Sequence, residues 1–142
     1  MADEILRDDF KRSKYPDVIL PFTVLRRVDC VLEPTKDRVI DRYEDLKGRL
    51  DNLQGPLSRV SGHFFYNVSP FTFSRLLEDP KNVGKNLRAY VHGFSEEMRE
   101  VLERFKIRNT IDQLEEKDLL YQTVQKFSSI DLHPQPRDGD DL

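Results

Sequence analysis

The chain has 142 residues, 37% of them hydrophobic, and a net charge of −3 from 23 basic and 26 acidic residues. This length suits one domain with its own core. The composition excludes a membrane-spanning protein and a nucleic-acid binder that relies on bulk positive charge. The acidic N-terminus lacks the layout of a secretion signal, so we expect a cytoplasmic protein. The single cysteine, Cys30, excludes an internal disulfide and is expected to be a small core residue.

Helical spacing of apolar residues dominates the first part of the chain. Apolar positions recur at intervals of three and four over residues 15–32, which predicts an amphipathic helix with a kink at Pro21. Thr35 is predicted to cap a second helix from residue 36 to about residue 50. The polar stretch 51–62 contains Gly55-Pro56 and Gly62, and we predict that it is mostly loop.

The one segment of strand-like composition, residues 63–68, has no obvious partner strand. We expect it to be extended and packed on helices. Short helices are predicted after Pro70, after Asp79-Pro80, after a cap at Ser95, around residues 111–114, and from about residue 118 to Ser128. The predicted fold class is therefore all-α, a compact bundle of about seven short helices with one extended aromatic segment.

No pattern in the sequence predicts a self-contained active site. The six glycines and three histidines are scattered, so neither a cofactor loop nor a metal site is expected. Paired carboxylates such as Glu96-Glu97 are typical of solvated helix faces. No catalytic, cofactor-binding or metal-ligating residues are assigned. A dense aromatic group is expected to be core rather than a base-stacking surface; it comprises Phe64, Phe65, Tyr66, Phe71 and Phe73.

Three basic clusters are candidates for contact with a DNA backbone. Each has an alternative interpretation as an ordinary solvated surface, and the second has the further alternative of pairing with Asp29 or Glu33. The clusters are Lys11, Arg12 and Lys14; Arg26 and Arg27; and Lys81, Lys85 and Arg88.

Several stretches, taken in order, resemble the N-terminal domain of the M subunit of type I restriction–modification systems. The resemblance covers nearly the whole chain, and its specificity comes from the order and spacing of the pieces. The stretches are residues 8–15, 18–22, 25–29, 65–69, 71–73, 76–80, 86–90, 93–95, 119–121 and 130–134.

The resemblance implies a role rather than a reaction for this chain. M subunits are adenine-N6 DNA methyltransferases that use S-adenosylmethionine, but the cofactor loop and the Asn-Pro-Pro-Tyr or Asn-Pro-Pro-Phe tetrapeptide do not occur here. The implied role is a DNA-clamp and assembly domain, residues 1–132, followed by a linker, residues 133–142, that leads to a methyltransferase domain. The implied partners are DNA, a specificity (S) subunit, a second M subunit and a restriction (R) subunit.

A second interpretation is a free-standing helical module that binds proteins, such as a regulator. In the helix at 15–32, Pro21, Val24 and Val31 add apolar surface beside the main stripe. A second helix of the same domain could bury this surface, or it could stay exposed and meet a partner; the family resemblance favours partial exposure. Self-association of the isolated domain through this surface is a further expectation.

Overall fold

The computed structural model describes residues 15–134, with side chains from Val18 onward. The first basic cluster, Lys11, Arg12 and Lys14, therefore lies outside the described residues, as does most of the linker predicted at 133–142.

The described residues form an all-α bundle, as the sequence predicts. Seven α-helices have eight residues or more, and α4 is a single helical turn between α3 and α5. The helices are α1 Tyr15–Leu32, α2 Lys36–Leu46, α3 Gln54–Ser61, α4 Phe73–Leu76, α5 Val83–His92, α6 Glu96–Arg104, α7 Ile107–Glu116 and α8 Leu120–Ser128. Short 3-10 turns at Glu33–Thr35 and Pro80–Asn82 lead directly into α2 and α5.

The core lies around α1, which continues past Pro21 to Leu32. The stripe that contains Val18, Phe22 and Leu25 is buried, and α1 packs against α6, α7 and α8. Helix α5 packs on α7 and α8, and α4 packs on α5 and α8. Cys30 is fully buried, which confirms its prediction as a core residue.

Helices α2 and α3 form a small unit that packs mainly on itself. Its buried apolar residues, Val39, Leu46 and Leu57, are not part of the main core cluster. The prediction of a loop over residues 51–62 was wrong. Gly55-Pro56 lies in the first turn of α3, where a proline removes no helical hydrogen bond, and Gly62 ends the helix in the left-handed region with φ 78°.

The aromatic segment is extended, as predicted, and it does find a partner. The Val68 amide donates to the Gly93 carbonyl, and the Ser95 amide donates to the Tyr66 carbonyl, each at 2.9 Å. Asn67 and Phe94 thus form an isolated antiparallel bridge. The expected cap at Ser95 is absent because its hydroxyl lies against the Tyr66 amide instead, at 3.3 Å.

The prediction that the aromatic group is core holds only in part. Phe73 is fully buried, but the Phe64 side chain is 56% exposed. The Phe64 carbonyl accepts a 2.8 Å hydrogen bond from the Gln54 side chain, which fixes this backbone beside α3. Phe105, which directly follows the last residue of α6, is 38% exposed.

Two residues other than glycine adopt left-handed backbone conformations in the described chain, Lys106 with φ 57° and Asp118 with φ 59°. Each lies in a short connection between two helices. A side chain in this region costs about 1 kcal/mol or more relative to glycine.

We predict that Gly93→Ala destabilises the domain by about 1–3 kcal/mol, because overpacking forces backbone shifts. A Cβ at residue 93 would lie 2.8 Å from the Ser69 Cβ and 3.0 Å from the Ser69 backbone nitrogen. Urea unfolding followed by circular dichroism measures the change.

The matched control is Gly55→Ala, whose Cβ would meet only the flexible Arg59 side chain at 3.4 Å. This variant should be neutral or slightly stabilising, since alanine favours helix. Equal unfolding free energies for the two variants would contradict the close packing at residue 93.

Candidate functional site

Arg26 is not available to a phosphate group in this structure, because its side chain is buried and only 7% of the residue is exposed. Its Nη1 donates to the Asp29 carboxylate at 2.9 Å. Its Nε and Nη2 donate to the carbonyls of Ile130 and Ser128 at 3.0 and 3.1 Å. The alternative of pairing with Asp29 is therefore the one that the structure contains.

Arg27 is directed to the same stretch of chain. Its Nη1 donates to the Leu132 carbonyl. His133 lies between two carboxylates, with Nδ1 2.7 Å from Asp131 and Nε2 3.0 Å from Glu33. These carboxylates raise the pKa of the His133 imidazole. The second basic cluster thus holds the segment that follows α8 against the end of α1.

The Asp29 carboxylate is the centre of a buried polar network. Its Oδ1 accepts a 2.8 Å hydrogen bond from the Tyr90 hydroxyl on α5. Its Oδ2 accepts from Arg26 and, at 3.4 Å, from the Phe73 amide at the start of α4. One carboxylate therefore joins three helices, and both oxygens have partners.

The network extends to α2 and to the aromatic segment through Asn67. Lys36 Nζ donates to Asn67 Oδ1 at 2.8 Å and lies 5.6 Å from the centre of the Tyr90 ring. Asn67 Nδ2 donates to the Tyr90 carbonyl at 2.8 Å, and Ser69 donates to Asn67 Oδ1 from both its amide and its hydroxyl. Asn67 is 1% exposed, so its amide acts as a structural bridge.

Burial shifts the pKa values of the titratable members of this network. It lowers the pKa of the Lys36 ammonium from 10.5 to about 8, although Asp29 partly opposes the shift. It raises the pKa of the Asp29 carboxyl, opposed by the Tyr90 hydrogen bond and the Arg26 charge. It also raises the pKa of the Tyr90 hydroxyl well above 10. These shifts have the signs expected when charged groups lose water.

Sequence reasoning did not identify this network, although one signal was present. Asp29 lies four residues after Leu25 and seven after Phe22, so it falls on the buried stripe of α1. Lys36, seven residues after Asp29, is the first residue of α2. A polar side chain on an apolar stripe must find a partner when it is buried, but the sequence does not name that partner.

The third basic cluster divides into two parts. Lys81 and Lys85 are exposed, at the 3-10 turn and the first turns of α5. The Arg88 guanidinium instead contacts two carboxylates of α7, Asp112 at 2.6 Å and Glu115 at 2.9 and 3.1 Å. The Arg88 hydrogen bonds lower the pKa of the Glu115 carboxyl. A phosphate at Arg88 would have to displace both acids.

A cleft of about 570 Å³ separates the α2–α3 unit from the junction of α5 and α6. Tyr43 and Tyr66 line it from opposite sides, but its charged residues are three carboxylates and one arginine, Asp51, Glu96, Glu97 and Arg99. This excess of negative charge disfavours a phosphate. Burial and the nearby Glu97 raise the pKa of the Tyr66 hydroxyl.

The described residues contain no cluster of histidines, cysteines and acids that would hold a metal ion, and no described helix is long and apolar enough to cross a membrane. The described glycines lie at helix ends, within α3 and α5, or at the packing contact of Gly93. They do not form a loop of the kind that holds S-adenosylmethionine.

Comparison with protein families identifies the chain. The family model described as the HsdM N-terminal domain matches residues 1–127. The chain belongs to this family. The domain that defines this family is part of the M subunit of type I restriction–modification systems. Comparisons with curated proteins and with solved structures give no match.

In this HsdM N-terminal domain, the stretches that carry the family resemblance meet in space. Residues 25–29, 65–69 and 86–90 supply Asp29, Asn67 and Tyr90 to the buried network, and residues 130–134 receive Arg26 and contain His133. Four of the ten stretches therefore take part in the buried network or in the contacts of the segment after α8.

We predict that Asp29→Asn destabilises the HsdM N-terminal domain by about 3–5 kcal/mol, because it leaves the buried Arg26 charge uncompensated. Chemical denaturation gives the value. The control is Asp112→Asn, which removes an exposed partner of Arg88 and should cost less than about 1 kcal/mol. Similar small losses in both variants would show that the Asp29 network contributes little.

We also predict a pH effect from Lys36. Between pH 8 and 10.5 the unfolded chain keeps a proton on Lys36 that the folded chain releases. The free energy of unfolding therefore increases as the pH rises through this window. The gain totals about 3 kcal/mol across the window. It is absent in Lys36→Met, in which Ser69 still satisfies Asn67 Oδ1.

The measurement compares the unfolding free energies of the wild type and Lys36→Met at pH 7, 8, 9 and 10. The difference should grow in favour of the wild type above pH 8. A difference that does not change with pH would contradict the lowered pKa.

Proposed function

We propose that this chain acts as a DNA-clamp and assembly domain of a type I restriction–modification M subunit. In this role it supports N6-adenine methylation by a catalytic domain outside residues 1–132, and that catalytic domain binds the S-adenosylmethionine. The observation that carries the proposal is the family match over residues 1–127. The proposed partners are DNA, an S subunit, a second M subunit and an R subunit, in the cytoplasm.

The fold supports a positioning role. The Asp29 network joins α1, α4 and α5, and its extension through Asn67 reaches α2. Arg26 and Arg27 hold the segment after α8 on the same helix. A surface on α5 is therefore linked by direct contacts to the segment that, in the proposal, leads to the catalytic domain.

Lys81 and Lys85 are the DNA-contact candidates that the described surface favours. Both are exposed, they lie four residues apart, and no ion pair with either is among the described contacts. Their spacing places them near one helical face at the start of α5, where the helix dipole adds to the positive potential. Lys11, Arg12 and Lys14 remain candidates as well. The net charge of −3 makes DNA binding by the isolated domain weak and salt-sensitive.

We predict that Lys81→Glu combined with Lys85→Glu weakens DNA binding by the assembled enzyme, uniformly across DNA sequences. Loss of two phosphate contacts should reduce the slope of log affinity against log salt by about 2. Fluorescence anisotropy with target and non-target duplexes over a range of salt concentrations measures both quantities.

The control carries the same charge change elsewhere: Arg38→Glu combined with Arg59→Glu, two exposed residues on α2 and α3. If both double variants change the affinity and the salt slope equally, the effect is one of net charge and not of contact at α5. An unchanged slope for the Lys81 and Lys85 variant would exclude that helix from the DNA interface.

A further inference from the structure

A second surface lies on a different part of the bundle, between α1 and the turn that joins α6 to α7. It is a cleft of about 310 Å³, which we call the Leu20 cleft. Leu20, Pro21 and Phe105 supply its apolar wall, Arg104 and Lys106 its charged rim, and uncharged polar side chains the remainder.

Two residues of the apolar wall, Leu20 and Phe105, are exposed to an unusual degree for this domain, whereas Pro21 is buried. Leu20 is 55% exposed and Phe105 is 38% exposed. Among the described residues, four large hydrophobic residues have an exposed fraction of 38% or more, and two of them line this cleft. Neighbouring exposed apolar side chains rimmed by polar groups are typical of protein interaction sites.

The rim has one sign of charge. Arg104 and Lys106 are both exposed, and the residues that line the cleft include no carboxylate. This local charge of +2 lies within a chain whose net charge is −3. The cleft is therefore complementary to negative charge next to apolar surface.

The turn that presents these side chains is held by backbone hydrogen bonds. The Lys106 amide donates to the Glu103 carbonyl at 2.9 Å, and the Thr110 amide and hydroxyl lie 3.0 and 3.1 Å from the Lys106 carbonyl. Lys106 itself is in the left-handed region, with φ 57°. The conformation that places Phe105 and Lys106 at the cleft is thus defined before any partner binds, which lowers the entropy cost of binding.

We propose that the Leu20 cleft binds a segment of a partner protein in which apolar side chains are flanked by carboxylates. Leu20 and Phe105 would contact the apolar side chains, and Arg104 and Lys106 would pair with the carboxylates. A DNA backbone fits less well, because it would cover two apolar side chains without burying any apolar surface of its own. The inference rests on the proposed assembly role and adds the surface and the partner chemistry.

The test is site-specific photo-crosslinking in the assembled enzyme, which contains complete M, S and R subunits and duplex DNA. The photoreactive residue p-benzoylphenylalanine replaces Leu20 in one preparation and Leu50 in the control. Leu50 is 48% exposed and does not line the cleft. The expected result is a protein adduct from position 20 only, whose crosslinked peptide contains apolar residues flanked by Asp or Glu.

A second arm tests the charged rim. Arg104→Gln combined with Lys106→Gly removes both charges and keeps the left-handed turn, and it should lower the adduct yield about fivefold, as expected for two rim ion pairs. Asp118→Gly makes the same backbone change at the other left-handed turn and should leave the yield unchanged. Thermal unfolding shows that each variant is folded.

Three outcomes would overturn the inference: an adduct with DNA, a position-20 yield no higher than that at position 50, or a crosslinked peptide without acidic residues. The anisotropy measurement on Lys81 and Lys85 does not involve this cleft. Failure of the crosslink therefore leaves the proposed DNA role standing, and failure of the DNA role leaves the crosslink to be judged by itself.

Discussion

The structure depends on one buried carboxylate. Asp29 is 6% exposed and accepts hydrogen bonds from Arg26, Tyr90 and the Phe73 amide. Each of these donors would otherwise be a polar group without water, and a buried group without a partner costs about 1–3 kcal/mol or more. Because the three donors come from three helices, satisfying them together fixes how α1, α4 and α5 lie relative to one another.

The same network joins two parts that share little apolar core. The α2–α3 unit has its own small cluster of buried side chains, and Lys36 connects its first turn to Asn67 and Tyr90. Hydrophobic burial is not directional, so it does not by itself set the angle between such parts. A hydrogen bond from a buried ammonium does, and the lowered pKa of Lys36 is the electrostatic cost of that arrangement.

Burial also sorts the basic side chains by role. Arg26 and Arg27 hold the segment after α8, Arg88 pairs with α7, and Lys81 and Lys85 remain on the surface. For a domain with net negative charge, proposed contacts with DNA depend on a few exposed cations and on cooperation with neighbouring subunits. The positive rim of the Leu20 cleft differs from these because it surrounds apolar side chains.

The sequence by itself determined the helical fold, the buried stripe of α1 and the family, because helical periodicity and the order of motifs are local or linear properties. It did not determine which basic residues are free. Arg26 finds Ile130, Tyr90 finds Asp29, and Arg88 finds Glu115, and these partners are separated by 104, 61 and 27 positions. The predictions that Phe64 is buried and that residues 54–61 are loop were wrong for a related reason. Contacts with neighbouring segments determine both the exposure of Phe64 and the conformation of residues 54–61. Only the tertiary structure brings such residues together, because a side chain is buried or paired by its neighbours in space and not by its neighbours in the chain.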